Sequence, residues 1–546
     1  MFLPKFTNRC VVSLILAFAC FASAAETDRE VDVCIYGATP AGVVAAVTAK
    51  QEGRSVLLIE PSRWLGGILG AGLKPKQDCP EPRSVGGLTQ SIVFTLGDNP
   101  LEIRESYSAW LKREDVTIVY EHRVRSVEKT EGRIRRVKLD YAPPGPLGVP
   151  TPSATPDRGL TVAAKVFIDA SYEGDLMALA GVRYSTGREP VERFGEKPAG
   201  VNAPTNWTEI DPYVRPGVPA SGLLPYVDPD HGKGKGAGDD YTQAYNFRFY
   251  VTNDPSRKAP IARPANYSPA QFELVGRFVE NLVRQNAADV PKLMKLLGGI
   301  FPGWPNSGDY NYQRESLVSI APLGVSRFYQ DGNWTVRARG WQEHIDYLAG
   351  LHYFLSTDPR VPEEFRKKTE ALGFVRALHA DTQGWPHQLY VRISRRMDAA
   401  YVVTHADVLN QTTVSDSVGL ALYGVDTYPV RRYVAHDPKT GKLGVATEGN
   451  MWLGGARGTK RPYAMPYRAI VPKAEQCTNL IVPVCFSATY IAYASARMEP
   501  VFCVLGESAG VAAAQAIRSA CSVQDVNVQE LQRRLVERGQ VLEWKP

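Results

Sequence analysis

Two short apolar runs near the start of the chain flank a glycine turn and an Ala/Val-rich segment. Residues 33–36 lead into Gly37, and a second apolar run, 56–59, ends at Glu60. Continuous apolar runs of this length are typical of strands in a parallel sheet that is buried on both faces. The pattern predicts a strand, a tight turn, a helix, a second strand and an acidic residue, with Gly53 just past the end of the helix.

This order of elements forms the unit that places a dinucleotide pyrophosphate on a helix N-terminus. Gly37 and Gly42 hold the first and third glycine positions of the G-x-G-x-x-G fingerprint, and Thr39 replaces the second. Pro40 fits the first helical turn, where a missing backbone N–H costs nothing. Glu60 stands where an acid accepts hydrogen bonds from ribose hydroxyls. The alternative is an ordinary βαβ unit that binds no ligand.

Further apolar segments predict more strands and a returning helix. Strands are expected at 116–120 and 162–169, with a hairpin through 137–140, while the six prolines of 141–157 predict a loop or linker. Near the end of the chain, the apolar run 480–484 predicts a strand, and the small-residue segment 506–518 predicts a helix that begins at its glycine.

The composition changes in the middle of the chain, which becomes rich in Pro, Tyr and Trp and contains predicted helices at 269–285 and 341–355. A length of 546 residues, 44% of them hydrophobic, supports more than one domain. We predict four parts: a leader at 1–24, the first part of a nucleotide-binding domain at 25–186, a substrate or cap domain at 187–440, and a returning part of the first domain at 441–546.

The predicted leader has the pattern of an export signal. Lys5 and Arg9 precede the apolar run 11–21, and Ala-Ser-Ala at 22–24 forms an A-x-A cleavage site. The run is too short to span a bilayer comfortably. Cys20 opens a lipoprotein alternative, which the residues before it disfavour. We predict a secreted or periplasmic protein without stable membrane insertion.

The net charge argues against nucleic acid as a partner, and the cysteine spacing argues against a metal site. A net charge of +6 is small for this length, and no basic stripe is interleaved with aromatic residues, so nucleic acid is not expected as a partner. The chain has eight cysteines, but no C-x-x-C pair and no Cys/His cluster with zinc spacing, so no metal site is predicted. Cys34, inside the first predicted strand, is expected to be buried.

Several other segments resemble the FAD-dependent oxidoreductase family often found in secreted bacterial proteins, which belongs to the superfamily of two-dinucleotide-binding flavoproteins. Residues 165–180 (KVFIDASYEGDLMALA) are similar to the second flavin-contacting motif, and residues 479–514 are similar to the closing segment. Matches between them, in order, are TGREPVERFGE (186–196), DPYVRPG (211–217), SGLLP (221–225), QAYNFR (243–248), WPHQLYVRISRRM (385–397) and MPYRAIVPK (465–473).

The resemblance implies an α/β fold: a Rossmann-like FAD-binding domain of the GR2 type with an inserted α+β substrate domain. Thr39 departs from the strict fingerprint, and 426–428 reads Asp-Thr-Tyr where many relatives have Asp-Ser-His. No histidine role is therefore transferred to that position.

The resemblance also implies FAD as the cofactor and assigns residues to it. The amides after Gly37 would bind the pyrophosphate, Glu60 the adenosine ribose, and Asp169 a flavin hydroxyl, while Asp175 would begin a helix or simply cap it. The full set of residues assigned to FAD is Gly37, Thr39, Pro40, Ala41, Gly42, Glu60, Pro61, Ser62, Arg63, Gly66, Gly67, Val124, Asp169, Ala170, Ser171, Gly174, Asp175, Gly506, Glu507, Ser508, Ala509 and Gly510.

The helix predicted from Gly506 has an expected electrostatic role. A reduced flavin carries negative charge near N1 and the C2 carbonyl, and a helix N-terminus offers free N–H groups and partial positive charge there. The alternative is a small-residue helix that packs on the sheet.

Catalytic candidates cluster after a Trp-Pro-His segment. On a strand, Arg392 and Arg396 would share one face and Arg395 the other. An arginine beside the flavin would bind a carboxylate or sugar oxygen, whereas the alternative is a structural network with acidic residues. The candidates for the base are His387, Tyr390, Tyr428 and His436. Arg497 and Glu499 either support the loop before the predicted helix or touch the flavin ring, and the first is favoured.

The sequence therefore predicts an enzyme that transfers a hydride from a small polar substrate, such as a sugar, polyol or hydroxy acid, to flavin N5. The chain has no second G-x-G-x-x-G unit for NAD(P)H, so the expected electron acceptor is oxygen, a quinone or a small carrier. Two alternatives remain: a glycan-binding protein with a structural dinucleotide fold, and a flavin-dependent lyase or isomerase without net redox.

Overall fold

The structure, a computed structural model, describes residues 27–437, 439–454 and 461–545, and within these a seven-stranded sheet forms the centre of the fold. The predicted leader lies outside the described residues. The strands of this sheet are β1 (Thr27–Tyr36), β2 (Val56–Glu60), β3 (Thr117–Tyr120), β4 (His122–Thr130), β5 (Arg133–Tyr141), β6 (Thr155–Asp169) and, far along the chain, β19 (Leu480–Ile481).

The sheet combines parallel strands with one hairpin. Strands β3, β2, β1 and β6 lie side by side in parallel, with Ile35 beside Leu58 and Tyr36 beside Asp169. The long strand β6 pairs with the β4–β5 hairpin along its first part and with β19 near its end, where Ile481 lies beside Ile168. The predicted strands, the hairpin and the return of the late apolar run to the first sheet are confirmed.

Helices cover the sheet and build the middle of the chain. They are α1 (Pro40–Gln51), α2 (Gly87–Ser91), α3 (Pro100–Arg113), α4 (Asp175–Leu179), α5 (Val191–Phe194), α6 (Glu273–Asn286), α7 (Val290–Leu297), α8 (Ser326–Tyr329), α9 (Trp334–Thr357), α10 (Glu363–Ala371), α11 (His405–Val408), α12 (Tyr490–Ala496), α13 (Glu499–Arg518) and α14 (Val528–Glu537).

The first turn and helix follow the residues that predicted them. Thr39 is the N-cap of α1, and its hydroxyl accepts a bond from the Gly42 N–H at 3.3 Å. Pro40 occupies the first helical position, and Gly53 follows the end of the helix with φ +77°. The helix is buried from Pro40 to Ala49 because its residues are apolar or small on every face. Cys34 is fully buried in β1, as expected.

Helix α13 lies against α1 and is also buried along most of its length. It starts at Glu499, so the prediction that a helix begins at Gly506 is wrong. Among the described residues, α13 is the one helix long and apolar enough to cross a membrane, but 94% of its apolar window is buried inside the protein. Its apolar character therefore serves the core.

The middle of the chain contains long helices and short strand pairs. The predicted helix at 269–285 is a 3₁₀ turn, Pro269–Phe272, followed by α6, and the one predicted at 341–355 lies inside α9. The short strands are β7 (Tyr184–Ser185), β8 (Thr205–Thr208), β9 (Val251–Thr252), β10 (Lys258–Ala259), β11 (Gly373–Val375), β12 (Arg396–Met397), β13 (Ser417–Ala421), β14 (Val425–Thr427), β15 (Arg431–His436), β16 (Leu443–Glu448), β17 (Met451–Leu453) and β18 (Tyr463–Pro466). This mixture of helices and small antiparallel sheets is the α+β character that the resemblance implied.

Candidate functional site

A cavity opens where β1, β2 and β6 end. Ligands of open α/β sheets bind at the carboxyl ends of the strands. Of the residues predicted to form the site, the cavity is lined by Gly37, Thr39, Glu60, Pro61, Ser62, Gly67, Ser171, Asp175 and His387. The structure thus brings together the three sequence segments that follow the three strands.

The turn between β1 and α1 requires glycine at two positions. Gly37 has φ +95°, and a Cβ there would lie 2.8 Å from the backbone nitrogen of Ser171. A Cβ on Gly42 would lie 1.8 Å from the carbonyl oxygen of Gly37. Thr39 replaces the middle glycine without penalty, because its hydroxyl donates to the Ala170 carbonyl at 2.7 Å. The N-terminus of α1 thereby starts at the cavity wall, where it favours an anion.

Glu60 lies at the end of β2 with both carboxylate oxygens engaged by backbone. One accepts from the Ala38 N–H at 2.7 Å and the other from the Ser62 N–H at 2.8 Å. Burial raises the pKa of Glu60. Each oxygen keeps a second lone pair, which a ribose hydroxyl can use.

The family model described as FAD dependent oxidoreductase matches residues 32–535. The chain belongs to this family. The family is that of FAD-dependent oxidoreductases, whose cofactor is FAD. No curated protein sequence matches the chain.

Solved structures resemble parts of this oxidoreductase at low similarity. The OxyS anhydrotetracycline hydroxylase from Streptomyces rimosus is 17% identical over 30% of this chain and 36% of its own, with a TM-score of 0.19. The L-proline dehydrogenase from P. horikoshii is 20% identical over 30% of this chain and 25% of its own, with a TM-score of 0.19. THI4 from Thermovibrio ammonificans is 17% identical over 29% of this chain and 66% of its own, with a TM-score of 0.20. The chain thus spans less than two thirds of the length of these structures, and the likeness carries no argument about activity.

The cavity fits FAD in shape and chemistry. The glycine turn lets a diphosphate approach the backbone closely, α1 offers its positive end, and Glu60 keeps acceptor capacity for a ribose. These residues would hold the adenosine and diphosphate parts of the cofactor. The remaining assigned residues of the turn and helix, Pro40, Ala41 and Gly42, shape the backbone and do not line the cavity.

Several predicted cofactor residues lie outside the cavity wall. Arg63 pairs with Glu121 at 2.9 Å. Gly66 has φ +82° and packs on the ring of Tyr107. Val124 lines an adjoining cleft instead, so this assigned residue is not part of the cavity.

Asp169 serves the turn after β6 and does not reach the cavity. Its carboxylate accepts from the N–H and hydroxyl of Ser171, at 3.1 and 2.6 Å, and from the Met177 N–H at 2.8 Å. Burial raises the pKa of Asp169 to about 6. The predicted bond from Asp169 to a flavin hydroxyl is therefore replaced by a structural role, and the neighbouring Ala170 and Gly174 belong to the same turn.

Asp175 is the first residue of α4, as expected for an acid at a helix N-terminus. Its carboxylate accepts from Arg337 at 2.6 and 2.8 Å and from Arg395 at 2.8 Å. Burial alone would raise the pKa of Asp175, but the two guanidinium groups lower it to about 2. Arg395 thus joins the middle of the chain to the floor of the cavity.

The five residues from Gly506 to Gly510 do not form the flavin-facing helix start that was predicted. A Cβ on Gly506 would lie 2.4 Å from the Ala41 carbonyl oxygen, and one on Gly510 would lie 2.7 Å from the Cβ of Thr48. Glu507 pairs with Arg538 at 3.0 Å, and the Ser508 hydroxyl donates to Val418 O at 2.7 Å. These residues, with Ala509, sit mid-helix and pack α13 on its neighbours, and the assignment of this segment to FAD is wrong.

The two candidate arginines differ in their partners. Arg396 is buried and donates to Glu189 at 2.6 Å and to the Gly187 carbonyl at 2.9 Å. These contacts match the alternative in which the arginines form a structural network with acidic residues. Arg392 instead donates to the Ala244 carbonyl and to Asn311 Oδ1 at 2.8 Å. Only Arg396 belongs to a strand, so the predicted shared face is not formed. The contacts with Glu189 and Gly187 support a structural role for Arg396, which does not line the cavity.

His387 lines the cavity and is held from two sides. Its imidazole stacks on Trp64 with centroids 4.2 Å apart, and its Nε2 lies 2.8 Å from Asp381 Oδ1. The Trp64 indole donates to the other oxygen of Asp381 at 2.7 Å. Burial lowers the pKa of His387. A neutral ring that donates from Nε2 to Asp381 leaves Nδ1 as an acceptor, and this buried Nδ1 has no protein partner.

The remaining candidate bases are placed differently. His436 is exposed at the end of β15. Tyr390 and Tyr428 are buried beside Arg392, and the Tyr428 hydroxyl accepts from Asn311 at 2.9 Å. Arg497 and Glu499 connect the start of α13 to its neighbours: Arg497 donates to the Tyr390 hydroxyl at 3.0 Å, and Glu499 accepts from Tyr172 at 2.7 Å.

Sequence reasoning missed the outer walls of the cavity. Part of the wall is the proline-rich loop 141–157, which looked like a linker; its composition carried no signal for binding. Another part is aromatic and comes from the end of α8 and from α9: Tyr329, Trp334 and Trp341. The aromatic enrichment of the middle region was the available signal for these residues.

Proposed function

We propose that this oxidoreductase takes a hydride from an alcohol carbon of a small polar substrate, with His387 as the base that receives the hydroxyl proton. Bound FAD supplies the two-electron acceptor for the hydride. The protein residues orient the substrate, exclude water and accept the proton.

His387 carries this proposal. The residue lines the cavity, its Nδ1 is buried and unpartnered, and Asp381 and Trp64 fix the ring. A lowered pKa keeps the imidazole neutral at neutral pH, as a general base requires. The arrangement of an acid that orients a histidine, which then acts through its other nitrogen, is well suited to taking a proton from a hydroxyl group.

The walls of the cavity and the sequence support our proposal of the substrate class and of the electron acceptor. Aromatic side chains of α8 and α9 suit the apolar faces of sugars, and the arginines suit hydroxy acids. We propose oxygen, a quinone or a small carrier as the acceptor of electrons from the reduced protein. The pattern of residues 1–24 supports export, and the N-terminal mass of the protein recovered outside the cytoplasm tests this proposal.

Anaerobic bleaching of the purified yellow protein tests the function. Sugars, polyols and hydroxy acids are added in turn, and the loss of flavin absorbance is followed. We expect one of these classes to bleach the flavin, and His387→Asn to slow bleaching by about 10²-fold or more without loss of bound FAD.

The matched control is His436→Asn, which changes an exposed histidine outside the cavity and is expected to leave bleaching unchanged. Bleaching of undiminished rate in His387→Asn would remove the histidine from the proposal. Conversion of a substrate without bleaching, to a product of the same oxidation state, would favour a lyase or isomerase.

A further inference from the structure

Three arginines surround the ring of Tyr390. The guanidinium carbons of Arg392, Arg248 and Arg497 lie 4.5, 5.4 and 5.9 Å from the ring centroid. The four side chains, which we call the arginine–tyrosine cluster, are between 2% and 7% exposed. Buried cations at this density require compensating negative charge.

The protein compensates these cations unequally. Arg248 pairs with Asp309, and Arg497 reaches Asp426 at 3.4 Å, an acid that Arg314 also pairs with. Asp78 lies near Arg248 and Arg497, and burial raises its pKa.

Among the described residues, no carboxylate pairs with Arg392. Its nitrogens meet a backbone carbonyl and an amide oxygen, and its carbon lies 3.8 Å from the centroid of the Tyr428 ring. Burial lowers the pKa of Arg392 to about 10. Arg392 is thus a buried cation that only neutral groups contact.

Unpartnered polar atoms occur in the arginine–tyrosine cluster and in the neighbouring side chains of Gln243 and Asn246. Nε of Arg392 and of Arg497, Nε2 of Gln243 and Oδ1 of Asn246 are buried without a hydrogen-bond partner. Gln243 and Asn246 are 0% exposed. Three of the four atoms are donors, which is the set that an incoming anion satisfies.

The unpartnered atoms belong to one connected network. Oε1 of Gln243 accepts from the backbone of Tyr428 at 3.1 Å and lies 3.5 Å from Arg497. The amide of Asn246 donates at 3.2 Å to the Asn311 oxygen that Arg392 also contacts. The unpartnered donors are therefore held within one set of connected side chains.

Two short connections join the cluster to the cavity. His387 at the cavity wall is followed three residues later by Tyr390, whose backbone N–H donates to Asn246 at 2.9 Å. Tyr172, also at the wall, donates to Glu499, which lies two residues after Arg497. The cluster is thus linked to the cavity wall through the chain and through the Tyr172–Glu499 hydrogen bond.

We propose that the substrate carries a carboxylate, that Arg392 binds it with support from Arg497, and that the substrate is a hydroxy acid and not a neutral sugar or polyol. Arg392 then determines specificity, while His387 acts on the hydroxyl. The inference rests on the proposed function, of which it names the substrate class.

Matched pairs of compounds test the inference. Glycolate is compared with ethylene glycol, lactate with 1,2-propanediol, and gluconate with glucitol, by anaerobic bleaching of the FAD-loaded wild type. We expect the acid of at least one pair to bleach the flavin, with kcat/KM at least about 30-fold above that of its neutral partner. Neutral partners that bleach as well as the acids overturn the inference and leave the proposed function intact.

Variants at Arg392 separate recognition from structure. Arg392→Gln is expected to raise KM for the acid at least about 30-fold with a smaller change in kcat, and Arg392→Lys to recover part of the loss. Arg533→Ala, which removes an exposed arginine on α14, is the control and is expected to change neither constant. Equal KM values in wild type and Arg392→Gln overturn the inference.

A binding measurement on the wild type covers the case in which Arg392→Gln does not fold. Acetate and oxalate are titrated against acetamide and oxamide, and the shift of the flavin absorbance band is recorded. Saturable shifts from the carboxylates alone support the cluster as an anion site, even if no compound bleaches the flavin and the proposed function fails. Equal responses to acids and amides, or no response to either, overturn the inference.

Discussion

Buried acids in this protein fall into two kinds according to their donors. Asp175 meets two guanidinium groups, and its pKa is lowered to about 2 although burial opposes this. Glu196 is buried, but one oxygen accepts only from the His405 N–H at 2.7 Å and the Thr489 hydroxyl at 2.8 Å, and the other has no partner. Burial therefore raises the pKa of Glu196 to about 7. The first kind holds its charge, and the second is protonated in the folded state below neutral pH.

Glu196→Gln is expected to flatten the pH dependence of stability. In the wild type, the folded state holds a proton on Glu196 between about pH 4.5 and pH 7, whereas the unfolded state has lost it, so this group's contribution to stability falls as the pH rises. Over this window the variant should lose less unfolding free energy than the wild type, by up to about 3 kcal/mol. Urea unfolding at a series of pH values measures this, with exposed Glu192→Gln as the control. Parallel curves for wild type and Glu196→Gln would contradict the assignment.

The contact between α1 and α13 depends on the absence of side chains. Gly506 approaches the backbone of Ala41, and Gly510 approaches Ala45 and Thr48. The small-residue segment predicts this helix, but it predicts a start at Gly506 and not at Glu499. Pro500, close to the true start, was the better signal. The element could be predicted, whereas its role could not, because the surface on which it packs lies far away in sequence.

Gly506→Ala is expected to separate the two helices. The new Cβ would lie 2.4 Å from a carbonyl oxygen of α1, so the variant should lose about 1–3 kcal/mol of stability. Affinity for FAD should also fall, since α1 begins at the cavity. Thermal unfolding and retained flavin absorbance measure the two effects. Gly340→Ala in α9 is the matched control: its Cβ meets ordinary contacts at 3.5 Å, and it should be neutral or slightly stabilising. Equal behaviour of the two variants would show that the contact is not tight.

At the scale of the whole molecule, the features that the sequence could predict depend on local patterns. The features that it could not predict depend on contacts between distant parts of the chain. The βαβ unit with Gly37 and Glu60 lies within thirty residues, and its turn, helix and acid are all found in the structure. The structural role of Arg396 depends on Glu189, 207 residues away, and no spacing rule connects them. The cavity walls formed by loop 141–157 and α9 escaped prediction for the same reason. Long-range packing decides which arginines remain available to a ligand.

Because the cavity draws its walls from separate parts of the chain, FAD is expected to stabilise all of them together. Trp334 and Trp341 of α9 face the same cavity as Gly37 and Glu60. Binding to the folded state alone adds about 2.7 kcal/mol at a hundredfold excess over Kd. Amide hydrogen exchange of the protein, with FAD and after its removal, measures how this stabilisation is distributed along the chain. We expect slower exchange in the first turns of α9 as well as in the β1–α1 turn on loading with FAD, while α14, outside the cavity, serves as the internal reference. Protection confined to the β1–α1 turn would show that the middle of the chain closes the cavity without contacting the cofactor.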